Sequence, residues 1–257
     1  MESLTNKLVC ITGASSGIGR ACAVEFAKQS SNLLLIARRK DRINDLARQL
    51  THEHRVKAYT VQLDVAYNIE VVEAFTSLPA EWNTIDVLVN NAGLARGLAK
   101  FHEGNVEDWE EMINTNVKGL MYVTRAVLPG MVARNRGHVI NIGSIAGHQT
   151  YPMGNVYSAS KFAVTGLTRS LKMDLLGTAV RVSSVDPGLV ETEFSQVRYR
   201  GDKERGSKAY AGMTPLRPED VAEIVVFCAT RPVHVNIGEV LVTPTDQATV
   251  SMVHRKT

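Results

Sequence analysis

The chain has 257 residues, 44% of them hydrophobic and 21% charged, with a formal net charge of +3. This is ordinary globular composition, enough for one sizeable core, and it excludes a disordered chain. Without a Lys/Arg run it also points away from nucleic acid and from anionic membranes, while leaving room for a small anionic ligand.

Short apolar runs predict strands at 8–11, 33–37, 56–61, 85–89, 138–142, 180–185 and 240–242. Apolar residues returning every three or four positions predict helices near 17–29, 40–52, 68–77, 106–134, 154–176 and 218–229. The longest apolar runs are strand-sized and the N-terminus, with Glu2 and Lys7, lacks the apolar stretch of a leader, so neither secretion nor a membrane span is expected. Cys10, Cys22 and Cys228 are odd in number, far apart and set among apolar residues. They fit reduced, buried thiols rather than a disulfide frame or a metal site, and a cytoplasmic location follows. Strict strand and helix alternation implies a doubly wound α/β fold, a parallel sheet with helices on both faces. With no linker or repeat, residues 1–257 read as one domain. The stretch 188–217 breaks the alternation, and an insertion after a strand of an open α/β sheet is placed to serve as a lid.

The first strand runs into Thr12-Gly13-Ala14-Ser15-Ser16-Gly17-Ile18-Gly19, which opens a helix at once. Glycines there permit a tight turn and bring backbone N–H groups and a helix N-terminus up to a pyrophosphate; an ordinary β-to-α turn is the plainer alternative. The second strand ends at Ala37-Arg38-Arg39 with no acid at its tip. A carboxylate there would hold the ribose hydroxyl of NAD, whereas Arg38 and Arg39 can grip a 2′-phosphate, so the cofactor expected is NADP(H) unless the pair is a solvated basic turn. Asp64, in Leu63-Asp64-Val65, is placed either to accept from an adenine amino group or to cap a helix. The fourth strand ends in Asn90-Asn91-Ala92-Gly93, small residues that let backbone pass close to a nucleotide.

Tyr157 and Lys161 are spaced i, i+4, which puts both on one helix face, and Ser144 sits just past the fifth strand. These residues, with Thr12-Gly13-x-x-x-Gly17-x-Gly19, Asn90-Asn91-Ala92-Gly93, Asn116 and Pro187-Gly188 in order, make a sequence that resembles the short-chain dehydrogenase/reductase family over nearly its whole length. The resemblance implies a Rossmann-type fold of seven parallel strands, a nicotinamide cofactor and a homotetramer. It implies cofactor contacts from Gly13, Ser15, Ser16, Gly17, Ile18, Gly19, Arg38, Arg39, Asp64, Val65, Asn91, Ala92, Gly93, Tyr157, Lys161, Pro187, Gly188, Val190 and Thr192. Thr192 would bond the nicotinamide carboxamide, or else cap the helix that follows. Tyr157 would pass a proton to or from the substrate oxygen, its phenolate favoured by the Lys161 ammonium, while Ser144 holds that oxygen. Asn116, which a bare helix would turn to water, becomes a link from Lys161 to solvent.

Several stretches, among them Gly154-Asn155-Val156-Tyr157 and Pro187 to Arg198, are similar to NADP-dependent serine and 3-hydroxy acid dehydrogenases. The substrate expected is a small anionic hydroxy acid, its carboxylate held by Arg198, with Arg96 as second choice and Gln149 and Asn155 adding hydrogen bonds. Arg198 could instead merely solvate the lid. A short-chain reductase of sulfoacetaldehyde, a 3-ketoacyl, a sugar or a fused-ring alcohol is the alternative, and a non-catalytic NADP-binding protein the more distant one, which has no use for Ser144, Tyr157 and Lys161 together.

Overall fold

The computed structural model describes residues 2–256. Seven parallel strands form its sheet: β1 (Leu8–Thr12), β2 (Asn32–Ala37), β3 (Ala58–Gln62), β4 (Val87–Asn90), β5 (Gly137–Ile142), β6 (Val180–Pro187) and β7 (Glu239–Val242), in the order β3-β2-β1-β4-β5-β6-β7. Strands β1, β4, β5 and β6 are buried along their whole length, as strands covered on both faces must be. On one face lie α1 (Gly17–Lys28) and α2 (Lys40–His54), around a core that includes Phe26, Ile43 and Leu50. The opposite face carries α3 (Asn68–Thr76), whose Val71 shares a core with Val127 and Met131. Cys10, Cys22 and Cys228 are free thiols buried in these cores.

The expected single helix over 106–134 is two helices, α4 (Val106–Ile113) and α5 (Leu120–Ala133), joined by a wide π turn at Asn114–Gly119. The reason is a polar bracket. Asn116 accepts from Leu94 N at 2.8 Å and donates to Leu94 O at 2.8 Å, as a strand partner would. Pointing that amide inward takes one extra residue in the turn, a distortion often found near functional sites. Asn116 is therefore only 2% exposed, which corrects the expectation from helix periodicity that it faces water. The next helix, α6 (Asn155–Asp174), follows β5.

Order reverses between β1 and β4, which opens a crevice at the carboxyl ends of those strands. Thr12 pins its floor: its hydroxyl accepts from Asn91 N and Ala92 N, each at 3.0 Å, and Asn91 Nδ2 returns a bond to Thr12 O at 3.0 Å.

Residues 188–217 cross the rim of this crevice and contain two one-turn helices, α7 (Phe194–Arg198) and α8 (Lys203–Ser207), before α9 (Pro218–Ala229) packs beside α1. The segment is anchored at several points. Gly97 N donates to Arg198 O at 2.9 Å, and Arg96 reaches the Val197 carbonyl. The C-terminal stretch turns back to supply others: Lys256 N donates to Gly212 O at 2.6 Å, Arg255 to the carbonyls of Ala209 and Ala211, and Leu189 N to Gln247 Oε1 at 2.8 Å. Replacing Arg255 with Met is expected to loosen the segment, so that trypsin nicks the variant faster around Arg198, Arg200, Arg205 and Lys208. Cleavage at the wild-type rate would show that the C-terminal stretch does not hold it.

Candidate active site

The crevice is a cavity of about 410 Å³. Its phosphate-sized end is shaped by backbone that only glycine accommodates easily: Gly13 and Gly17 have φ of +66° and +51°, and a Cβ at Gly13 would come 2.8 Å from Asn91 Nδ2 and 3.0 Å from Ala92 Cα. Gly19 lies behind the wall, where a Cβ would overlap Asn91 Nδ2, so its smallness serves the packing of α1 on the loop. Ser16 enters α1 in extended backbone without capping it, leaving the first-turn N–H groups uncapped by that side chain. Arg39 spans the cradle, donating to Ser15 Oγ at 2.9 Å and Ser16 Oγ at 2.6 Å. Arg38 stands 3.5 Å from Asp64, whose other oxygen caps the turn at Ala66 N. Ile18, Val65, Asn91, Ala92 and Gly93 complete this side, and Pro187, Gly188, Val190 and Thr192 the far side. Thr192 faces two ways: its methyl packs near Gly17, and its hydroxyl accepts from Phe194 N at 3.1 Å, a local turn just ahead of α7, whose N-cap is Glu193.

Ser144, Tyr157 and Lys161 line the same cavity at its deep end. Ser144 holds its place at the tip of β5, its hydroxyl accepting from Ala146 N at 3.1 Å. Lys161, buried by α6, donates to Ile142 O at 3.0 Å. Burial pushes its ammonium down to about 8, and the charge of Asp186 opposes that shift. Tyr157 is raised from the ordinary phenol value by burial, with Arg198 and the Ser144 hydroxyl pulling the other way. Arg198 is one cation that favours the phenolate, its guanidinium 5.1 Å from the Tyr157 ring centre. Asn116 stays outside the cavity wall; its Nδ2 donates to Ser160 Oγ at 3.0 Å, and Ser160 Oγ to Tyr157 O at 2.7 Å, so it steadies the helix turn that carries the phenol.

The sequence pattern of short chain dehydrogenases matches residues 7–203. The chain belongs to the short chain dehydrogenase family. A protein of Salmonella typhi called NADP-dependent 3-hydroxy acid dehydrogenase YdfG is 50% identical over 250 residues, covering 96% of this chain and 99% of that one. One of Schizosaccharomyces pombe, called NADP-dependent 3-hydroxy acid dehydrogenase, is 44% identical over 257 residues, 100% of this chain and 99% of its own. Among solved structures, the closed form of a serine dehydrogenase complexed with NADP+ matches with a TM-score of 0.90 and 47% identity, covering 97% of this chain and 100% of that one. The dehydrogenase is accordingly an oxidoreductase with a seven-stranded Rossmann-type sheet.

Around the deep end of this dehydrogenase's cavity stand residues that the sequence did not single out. Tyr151 accepts from Arg198 Nη2 at 2.9 Å, and Phe194 and Tyr157 flank the same guanidinium. Asp186, fully buried at the end of β6, accepts from Ser184 and is 2.8 Å from His148 Nε2, with a carboxyl raised by burial. Of the two candidate carboxylate cations, Arg96 is taken by Glu111 through two 2.6 Å contacts, whereas Arg198 Nε is buried with no partner. Gln149 and Asn155 do not line the cavity: Gln149 accepts from Val250 N at 3.1 Å, and Asn155 donates to Ala99 O at 3.0 Å. No group of three His, Cys, Asp or Glu that could hold a metal occurs among the described residues, nor a helix long and apolar enough to cross a membrane.

Lys161 sits at about 8 in the folded chain and a lysine at roughly 10.4 in an unfolded one. Burying this cation therefore costs stability in full below pH 8, and the cost fades as pH rises toward about 10.4. In urea unfolding, wild type is expected to gain on Lys161→Met by a few kcal/mol over that window, and a constant difference between the two would show the ammonium to be unshifted.

Proposed function

We propose that the protein interconverts a small 3-hydroxy acid and its carbonyl form with NADP(H), the substrate carboxylate resting on Arg198 and the reacting oxygen between Ser144 and Tyr157. The observation that carries this reading is the Arg198 guanidinium: it lies over the Tyr157 ring at 5.1 Å, and its buried Nε lacks a partner. An unpaired buried donor of a cation is costly, and a carboxylate would satisfy it with a charge-assisted bond. The substrates and cofactor for which these relatives are named agree with it.

The cradle fits a dinucleotide phosphate. Positive-φ glycines admit backbone where a Cβ would fill the space, the uncapped start of α1 offers N–H donors, and Arg38 and Arg39 supply cations for the 2′-phosphate. Thr192 and Val190 would border the nicotinamide and Lys161 the ribose hydroxyls. When bound, the nicotinamide supplies the acceptor or donor of hydride. Tyr157 accepts the hydroxyl proton during oxidation and returns one to the carbonyl oxygen during reduction; Ser144 donates to the same oxygen and fixes it. Partial burial disfavours the charged phenolate, and Arg198 offsets part of that. Residues 188–217 act as the lid. Nearly half-exposed Met121 on α5 and Phe162 on α6 support a homotetramer, and three free thiols support a reducing cytoplasm.

With NADP+ and 3-hydroxypropanoate followed at 340 nm, Tyr157→Phe is expected to lower kcat by about 10² to 10⁴. Arg198→Met is expected to raise KM for the acid roughly 10- to 100-fold, the worth of a charged hydrogen bond, while kcat falls far less. An unchanged KM removes Arg198 from the substrate site, and a Tyr157→Phe enzyme at full rate removes the mechanism.

A further inference from the structure

Arg39, which faces the ribose-phosphate end of the cradle, already holds with Arg42 behind it an anion that belongs to the chain. Glu193, immediately after Thr192 and immediately before α7, contacts Arg39 Nη1 at 2.8 Å through Oε2, and Arg42 Nη1 at 2.7 and 2.9 Å through its two oxygens. Arg39 comes from the tip of β2 and Arg42 from the first turn of α2, so a carboxylate from residues 188–217 bridges to the other side of the crevice. The rest of the Arg39 fork is engaged by Ser15 and Ser16, its Nε lying 3.1 Å from Ser15 Oγ. Each nitrogen of Arg39 thus already has a partner while Glu193 is seated. Arg38, in contrast, meets Asp64 at a loose 3.5 Å. Glu193 itself is held below the usual carboxylate range, chiefly by its bond to Arg39.

We propose, resting on the NADP(H) reading, that Glu193 is a built-in competitor for the 2′-phosphate site and so a determinant of cofactor affinity: its carboxylate occupies Arg39 in the free enzyme and is displaced onto Arg42 alone when a ribose 2′-phosphate arrives. The exchange is favourable because a phosphate brings close to two charges and three acceptor oxygens against one charge and two oxygens. Arg42 does not line the cavity, so it can keep the displaced carboxylate without contesting the phosphate. The same exchange frees the residue next to Thr192 from the opposite wall. Cofactor loading is thereby linked to the start of the lid.

Calorimetric titration of the full chain at low ionic strength tests this, with adenosine 2′,5′-bisphosphate as the phosphate-bearing probe and 5′-AMP as the probe lacking it. Glu193→Gln keeps the shape and removes the charge; it is expected to bind the bisphosphate roughly three- to fivefold more tightly than wild type, the upper scale of partly exposed ion pairs, with 5′-AMP unchanged within about twofold. Glu193→Ala is expected to move in the same direction, which separates the effect from local misfolding. Equal or weaker bisphosphate binding in both variants overturns the proposal; the weaker result would make Glu193 a clamp on the loaded site instead. If neither wild type nor either variant prefers the bisphosphate over 5′-AMP, the NADP(H) reading falls and takes this proposal with it, an outcome distinct from loss of the Glu193 effect alone.

Discussion

The architecture turns on one hydroxyl. Thr12 ends β1 where the strand order reverses, and by accepting from two successive backbone N–H groups after β4 it fixes two strand tips side by side. Asn91 completes the clasp through its side chain. A parallel sheet leaves its strand ends unpaired at such a point, and without this clasp the glycine loop and the Ala92-Gly93 wall would have no common floor. Everything that follows toward the rim, from the cradle at α1 to the phenol on α6, is positioned relative to it. Fully buried neighbouring strands make that floor stiff.

The deep end of the cavity is governed by the cost of burying charge. Lys161 and Arg198 enter from opposite sides, one under the sheet edge and one from the segment that crosses the rim. Each is compensated differently. Lys161 has a carbonyl and the nearby charge of buried Asp186; Arg198 has aromatic faces and the Tyr151 hydroxyl, which leave part of its fork unsatisfied. The arrangement is a cation held ready on the approach side and another held in reserve beneath. A similar imbalance appears at the outer end, where three arginines meet two carboxylates, Glu193 and Asp64.

Much of the fold was legible because buried strands leave continuous apolar runs, and β1, β5 and β6 lie within a residue or two of where those runs stand. The glycine loop, the Asn91 turn and the ordered set of polar residues after β5 were legible too, since their chemistry is local in sequence. The π turn was not, because the periodicity of 106–134 shows only apolar spacing while the cause of the distortion, Leu94, lies 22 residues away from Asn116. Tyr151, Asp186 and Glu193 escaped for the same reason: their partners are 47, 38 and 154 residues distant. A lone aspartate closing the apolar run Val180–Val185 was the one available hint of a buried carboxylate. Spacing alone could not show that the Tyr157 ring also meets a guanidinium, which the crossing segment delivers.

The three thiols have a consequence of their own. Cys10 lies in the middle of β1, and Cys22 and Cys228 lie on α1 and α9, two helices that pack together far along the chain from each other. Burial both hides these sulfurs and pushes their ionisation upward, so a maleimide or iodoacetamide sees none of them until the sheet parts or that helix pair separates. Alkylation in native buffer is therefore a natural stopwatch for rare opening of the molecule, with Cys10 timing the sheet and Cys22 and Cys228 the helix pair.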